Sequence, residues 1–281
     1  MRSFDNTFWD RDDPALSALL DERVDMLAGL RVVNFAAGAN LKMTVPMSEL
    51  NRWRKTRKNK LGITACVSAA VRWALGHDPL FASLFDGRDE LIVPSNPSIG
   101  VGLDAGKSAR VLVVRGDEYS NPLDLAEKIE SNLLRYEPIQ SKLIPGSQRT
   151  KISGVRKTKR WLKMATQEVR ERFDYLLPQL QGKRFDKWVE QRGHMQIHNL
   201  GTHGVQEFKG FLRRPWVSML WVLEKDEIVN RTDSGGFESV VVLPLIMVYA
   251  QELITVDRAC AFLQNVVKVL SEPAKYLERK K

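Results

Sequence analysis

Three of the chain's four histidines, His194, His198 and His203, fall within ten residues of one another in the segment GHMQIHNLGTHG at 193–204. Imidazole is the side chain whose ordinary pKa sits nearest neutrality, so such a cluster is suited to general acid–base chemistry or to binding a metal such as zinc. Few other groups in the chain are suited to chemistry at neutral pH. His194, Gln196 and His198 alternate, so a strand would place all three on one face, with His203 beyond the turn at Gly201.

The elements that must position this cluster follow from periodicity. LKMTVPM at 41–47 alternates as a strand does, and Ser48 is a candidate cap for the helix after it. ITACVSAAVRWALGHDP has apolar residues at helical spacing, begins near Thr64 and is closed by Pro79. Short strand-like runs follow in DELIVPSN, SIGVGLD and ARVLVVRG, then an amphipathic helix in PLDLAEKIESNLLRYE with Pro122 at its start. HMQIHNLG, WVSMLWVLE and SVVVLPLIMVYAQ read as strands, separated by the turn-forming RTDSGG, and VDRACAFLQNVVKVLSEP as a terminal helix stopped by Pro273. Asp257 suits the first turn of that helix. Helices alternating with strands, without an evident linker, predict one mixed α/β domain over 1–281, with an irregular arm at 1–33.

The net charge of +9 is concentrated. Between Lys142 and Arg192 stand 14 Lys and Arg against five Asp and Glu, so this stretch alone carries +9 and the remainder is balanced. GVRKTKRWLKMATQEVRERFDYLLPQL within it predicts a long helix with Trp161, Leu162, Val169, Phe173, Leu176 and Leu177 on its apolar side. Three uses stay open: a solvated helix packed by one face, a docking surface for an acidic protein partner, or a peripheral contact with an anionic lipid surface. Nucleic acid is not expected, because no recognition motif accompanies the charge.

Cys66 and Cys260 fall in apolar helices and read as reduced core thiols. The amino terminus lacks a secretory h-region, and VVVLPLIMVYA at 240–250 is too short to span a bilayer as a helix, which together predict a cytoplasmic protein. GxGxxG, GxxxxGK[ST], HExxH, CxxC and GxSxG are all missing, and GVGLDAG at 100–106 has neither the context nor the spacing of a phosphate cradle.

Five segments in order carry a family resemblance. VSAAVRWALGHDPLFASLFDG, SIGVGLDAG, NPLDLAEKIE, QIHNLGTHGVQEF with RRPWVSMLWV, and VYAQELITVDRACAFLQNVVKVLSEPAKYL together resemble the catalytic core of dihydrolipoamide acyltransferases of 2-oxo acid dehydrogenase complexes. The chain is more distantly similar to chloramphenicol acetyltransferase. The resemblance covers roughly 34–135 and 193–277, and the basic stretch about 142–192 reads as an insertion. It implies a chloramphenicol acetyltransferase-like two-layer fold, a mixed sheet with helices, and a homotrimer or multiples of one, with sites between subunits. It also implies coenzyme A or an acyl-CoA as the ligand.

In that family a histidine of the pattern D-H-R-x-x-D-G takes the proton of a thiol or hydroxyl that attacks an acyl-CoA. A serine or threonine of the neighbouring subunit's strand holds the oxyanion. Aligning the shared AFL puts Ala250, Gln251, Glu252, Leu253, Ile254, Thr255 and Val256 on that pattern. Gln251 then occupies the histidine position and Thr255 the aspartate position. An amide neither accepts nor returns a proton near pH 7, so the family mechanism cannot run there. Aligning NLG with the family's "TISNLG" puts Gln196 and His198 where the family has Thr and Ser.

Three readings of the histidines stay open: structural residues at a subunit interface, a relocated base in which His198 reaches across a trimer interface toward the space vacated at Gln251, or metal ligands. No cysteine or carboxylate sits beside them in sequence to complete a metal shell, and no metal is assigned. Glu252 and Glu224 are further candidate bases if buried, while Trp216 and Trp221 read as packing residues. No lipoyl or subunit-binding domain precedes residue 34, so the chain is expected to carry no lipoyl group. The resulting expectation is a non-catalytic oligomeric scaffold or regulatory subunit, able to associate with a catalytic relative. The alternative is an active CoA-dependent acyltransferase, or another CoA-thioester enzyme, with His198 as base.

Overall fold

A computed structural model describes residues 35–36, 38–57, 61–85, 91–104, 109–115, 121–135, 189–190, 192–213, 215–232 and 235–278. The arm expected at 1–33 lies outside the described residues, as does the basic stretch 142–192 apart from residues 189–190 and 192.

The elements run, in chain order, β1 (Phe35–Ala36), β2 (Ala39–Pro46), α1 (Met47–Lys55), α2 (Ile63–Leu75), a 3-10 turn (Pro79–Ala82), β3 (Leu84–Phe85), β4 (Leu91–Ile92), β5 (Ile99–Asp104) and β6 (Ala109–Val114). They continue with α3 (Pro122–Arg135), β7 (Met195–Asn199), a second 3-10 turn (Gly201–His203), β8 (Leu212–Arg213), β9 (Ser218–Val222), β10 (Asp226–Arg231), β11 (Phe237–Tyr249), α4 (Val256–Ser271) and α5 (Pro273–Tyr276).

The principal sheet runs β10-β11-β9-β7-β5-β6, with β2 also paired to β11. It is mixed, because β7 lies parallel to both β5 and β9 while the other pairs are antiparallel. β11, at thirteen residues, pairs with β10 through its first half and with β2 and β9 through its second. That second half, Val242–Tyr249, is buried throughout, whereas β10 and the start of β11 are mostly exposed.

Strand alternation sorts the sheet into rows. Val101, Ile197, Leu220 and Met247 lie opposite one another and are wholly buried. α2 packs on β5, on α3 and on α4, α4 packs on β2, and α1 packs on β11. The Phe81 and Phe262 rings, stacked at 4.0 Å between centroids, join the first 3-10 turn to α4. Each large side chain removed from water in this way contributes about 1.5–3 kcal/mol before the entropy of ordering is subtracted.

Several local expectations are corrected by the way helix ends are held. α1 starts at Met47 directly from the strand, with Pro46 as its cap residue and no side-chain cap, so Ser48 does not serve. α2 ends at Leu75, before Pro79, which instead opens the 3-10 turn capped by the Asp78 carboxylate. Its N-terminal amide at Gly62 donates to Glu130 on α3 at 2.7 Å, so a distant carboxylate does the work of a local cap. Pro122 does open α3, where Asn121 accepts the Leu123 amide at 2.8 Å. The terminal helix α4 does stop at Ser271, just before Pro273, and Pro273 then opens the short α5. Asp78 also takes both Arg258 nitrogens, at 2.6 and 2.9 Å, which ties the start of α4 to the end of α2.

Candidate functional site

β7 occupies the centre of the sheet, and its residues are fixed from both sides by parallel neighbours. His198 lies opposite Gly102 on β5 and Trp221 on β9, and Trp221 in turn lies opposite Ile246. The imidazole stacks on the Trp221 indole at 4.4 Å with 20° between planes, and Phe208 tilts against the same indole at 4.5 Å. On the other side Gly102 is required, since a Cβ there would overlap the His198 ring at Nδ1. The ring is thus set between a bare strand and an indole.

The polar edge of His198 is equally constrained. The Gln196 amide nitrogen donates to the Arg192 carbonyl at 3.3 Å, which leaves Gln196 Oε1 facing His198 Nε2 at 3.0 Å. An amide oxygen only accepts, so Nε2 carries the hydrogen and Nδ1, beside Gly102, does not. Burial lowers the His198 pKa to about 4, because a charged ring in this packing would lose its hydration without gaining a counter-charge. At neutral pH the group is a neutral imidazole bonded to an amide. Its Nε2 is engaged with the Gln196 amide and its Nδ1 faces Gly102, so neither ring nitrogen is set against a hydroxyl or thiol that it could activate.

Gln196 and His198 share a face as alternation requires, but His194 stands just before the strand and bonds elsewhere. Its Nδ1 receives the Ser98 backbone amide at 3.1 Å and lies 2.6 Å from Ser98 Oγ. Its own amide donates to the Ser98 carbonyl at 2.9 Å. Burial lowers the His194 pKa to about 4 as well. His203 ends the 3-10 turn beyond Gly201 and is exposed, separate from the other two as expected.

The NLG turn is structural. Asn199 donates to Thr64 Oγ1 at 2.8 Å and accepts the Gly201 amide at 3.0 Å, linking the end of β7 to the start of α2. Gly201 admits no side chain, because a Cβ would strike the Leu223 carbonyl. Trp216 and Trp221 are buried as packing residues, with Trp216 Nε1 donating to the Gly193 carbonyl at 3.1 Å.

Gln251 lies in the turn after β11, where Leu253 and Ile254 donate to the Ala250 carbonyl at 3.0 and 2.9 Å. It is exposed, and Glu252 and Glu224 are half-buried. Thr255 is the N-cap of α4, its hydroxyl accepting the Arg258 amide at 3.4 Å, with Asp257 in the first turn. Ala250 donates to Val217, and the β7–β9 register extends to put residue 194 level with Val217. His194 and Gln251 therefore mark the same end of the sheet. His198 is two strands and about four residues from that turn, roughly 10 Å across and 13 Å along. Within one chain His198 and Gln251 do not meet.

This architecture has solved counterparts. The cubic core of a pyruvate dehydrogenase multienzyme complex superposes with a TM-score of 0.59 at 18% identity, over 93% of this chain and 91% of that one. The dihydrolipoamide acetyltransferase of Azotobacter vinelandii, in which a serine, a histidine and an asparagine were investigated for their role in the catalytic mechanism, gives 0.60 at 18% identity over the same shares. The truncated catalytic core of the 2-oxoacid dehydrogenase multienzyme complex from Thermoplasma acidophilum gives 0.57 at 15%, over 92% and 95%. The chain has the fold of a dihydrolipoamide acyltransferase core. No protein-family model and no curated protein matches it in sequence.

On this acyltransferase-core fold the expected two-layer mixed α/β architecture is present. Among the described residues no group of three or more His, Cys, Asp and Glu is placed to hold a metal ion. Among them, too, no helix is long and apolar enough to cross a membrane. Ser98 carries no signal in the sequence, since SIGVGLD is an ordinary strand-like run. Its partner is 96 residues away, and only the parallel pairing of β5 with β7 joins them.

Proposed function

We propose that this chain is an oligomeric member of the acyltransferase-core fold that does not transfer acyl groups to a thiol or hydroxyl acceptor with a histidine base at the family position, and that it acts as a scaffold or regulatory subunit. The observation that carries this is the use of the residues at the motif positions. Thr255, aligned with the family aspartate, caps α4, and Gln251, aligned with the histidine, is an exposed amide on a turn. The relocated base gains no support, since His198 is a neutral ring bonded to Gln196 and packed on Trp221.

The whole chain is taken as one domain whose trimer, or multiple of it, resembles the cores of the multienzyme complexes it superposes on. The +9 stretch at 142–192 is its docking surface for an acidic partner, a catalytic relative among the candidates. Coenzyme A or an acyl-CoA is the ligand class such a fold would keep, as an effector rather than a substrate.

The test is direct. Purified protein offered a panel of acyl-CoAs with thiol and hydroxyl acceptors should give no acceptor-dependent turnover. Turnover that disappears in His198→Ala would overturn the proposal in favour of an active acyltransferase. Sedimentation should give a trimer or a multiple of it, and a strict monomer would sink the scaffold.

A further inference from the structure

Among the described residues outside the positions aligned with the family motif, a buried serine, Ser98, is held against an imidazole, that of His194. Ser98 immediately precedes β5 and His194 immediately precedes β7, and the two residues are joined by backbone as well as side chain. The Ser98 carbonyl accepts the amides of His194 at 2.9 Å and Met195 at 3.3 Å. In return, the Ser98 amide donates to His194 Nδ1 at 3.1 Å, and Ser98 Oγ lies 2.6 Å from the same nitrogen.

Because an N–H already points at Nδ1, that nitrogen carries no proton, and the hydroxyl is the donor across the 2.6 Å contact. The result is a serine hydroxyl hydrogen-bonded to a neutral imidazole, the ground-state arrangement from which an alkoxide can be developed. The rest of the loop fixes the pair. Gly193, at φ 78°, turns the chain into β7 and donates to Val189 at 2.7 Å, and its carbonyl takes Trp216 Nε1. Ser98 is buried, His194 is half-buried, and the neighbouring Ser95 and Asn96 are exposed.

We propose that Ser98 and His194 form a nucleophile–base pair that captures an acyl group from an activated ester or thioester. Ser98 Oγ attacks the acyl carbonyl carbon as its proton passes to His194 Nδ1. The Oγ–C bond forms and the C–S or C–O bond to the leaving group breaks. The proton on Nδ1 goes to the departing thiolate or alkoxide, leaving an O-acyl serine and a free thiol or alcohol. A desolvated imidazole is a weak base, which restricts the reaction to good leaving groups and excludes amides. The pair stands at the end of the sheet that also carries Gln251, so acyl capture there would mark a regulatory subunit without needing an acceptor.

Two probes, p-nitrophenyl acetate and acetyl-CoA, incubated with the full chain and no acceptor, test this by peptide mass spectrometry. The expected result is a slowly formed single acetyl group on Ser98, absent in Ser98→Ala and formed at least about tenfold more slowly in His194→Gln. Gln keeps an acceptor opposite Ser98 but cannot take a proton, so a purely structural clasp would leave the rate unchanged. Ser98→Cys, read in the same way, covers the case in which Ser98→Ala fails to fold. No adduct with either probe, an adduct confined to lysines or Cys260, or a Ser98 adduct indifferent to His194→Gln would overturn the proposal. Because no acceptor is present, its failure is distinguishable from failure of the scaffold reading, which is judged by acceptor-dependent turnover.

Discussion

His198 and His194 sit four residues apart at the two ends of one five-residue stretch, and burial lowers both to a pKa of about 4. Their partners separate them. His198 has given its one N–H to an amide oxygen and its faces to Gly102 and Trp221. His194 keeps Nδ1 as an acceptor, and what it accepts includes a hydroxyl. Equal desolvation therefore leaves one ring as packing and the other as half of a nucleophile pair. The chemistry open to a histidine is set by the group it bonds to more than by its pKa or its place in a motif.

The largest effect of a single substitution is expected at Gly102, which faces the His198 ring. Gly102→Val should cost about 3 kcal/mol by driving a branched side chain into the His198 ring, measured as a loss of urea midpoint. Adding His198→Ala should recover part of that, and full additivity would show that the ring is not packed as described.

Acid should affect both ends at once. The ordinary value is 6.5 and the folded value about 4 for each ring, so the unfolded chain binds protons first as pH falls. Stability from both neutral histidines is complete above pH 6.5 and falls between pH 6.5 and 4, by on the order of 3 kcal/mol for each ring. His194→Gln and His198→Gln should each flatten the unfolding free energy against pH over that window. A slope unchanged in either variant would show that ring to be charged or exposed.

His198→Ala alone should cost about 1.5 kcal/mol for the lost stacking and hydrogen bond. Thermal unfolding checks this. The smallest effect is expected at the other motif position. Thr255→Ala should cost about 1 kcal/mol as a lost cap, while Thr255→Asp, which restores the family residue, should change stability by less than about 0.5 kcal/mol. Equal losses in the two variants would argue against capping as the role of Thr255.

Much of the fold was legible in the sequence because its signals are local. The apolar spacing of α2 and α4, the alternation of β2 and β7 and the Pro122 start all reflect one element's own periodicity. Helix ends were less legible: the cap of α2 is Glu130, from a different helix, so no inspection of residues near 62 could find it. At the site, the sharing of a face by Gln196 and His198 followed from alternation. The placement of His194 did not, because the strand begins only at Met195.

The sequence by itself determined the order of elements, the departure from the family motif at Gln251 and Thr255, and the presence of several histidines on one strand and turn. Those are properties of residue identity and short-range spacing. The tertiary structure alone decided what each histidine bonds to. Residues 98 and 194 meet because β5 and β7 run parallel, His198 is confined because Gly102 and Trp221 flank it in register, and both rings stay neutral because the sheet removes them from water. Such contacts depend on pairing between distant strands, which no local pattern specifies.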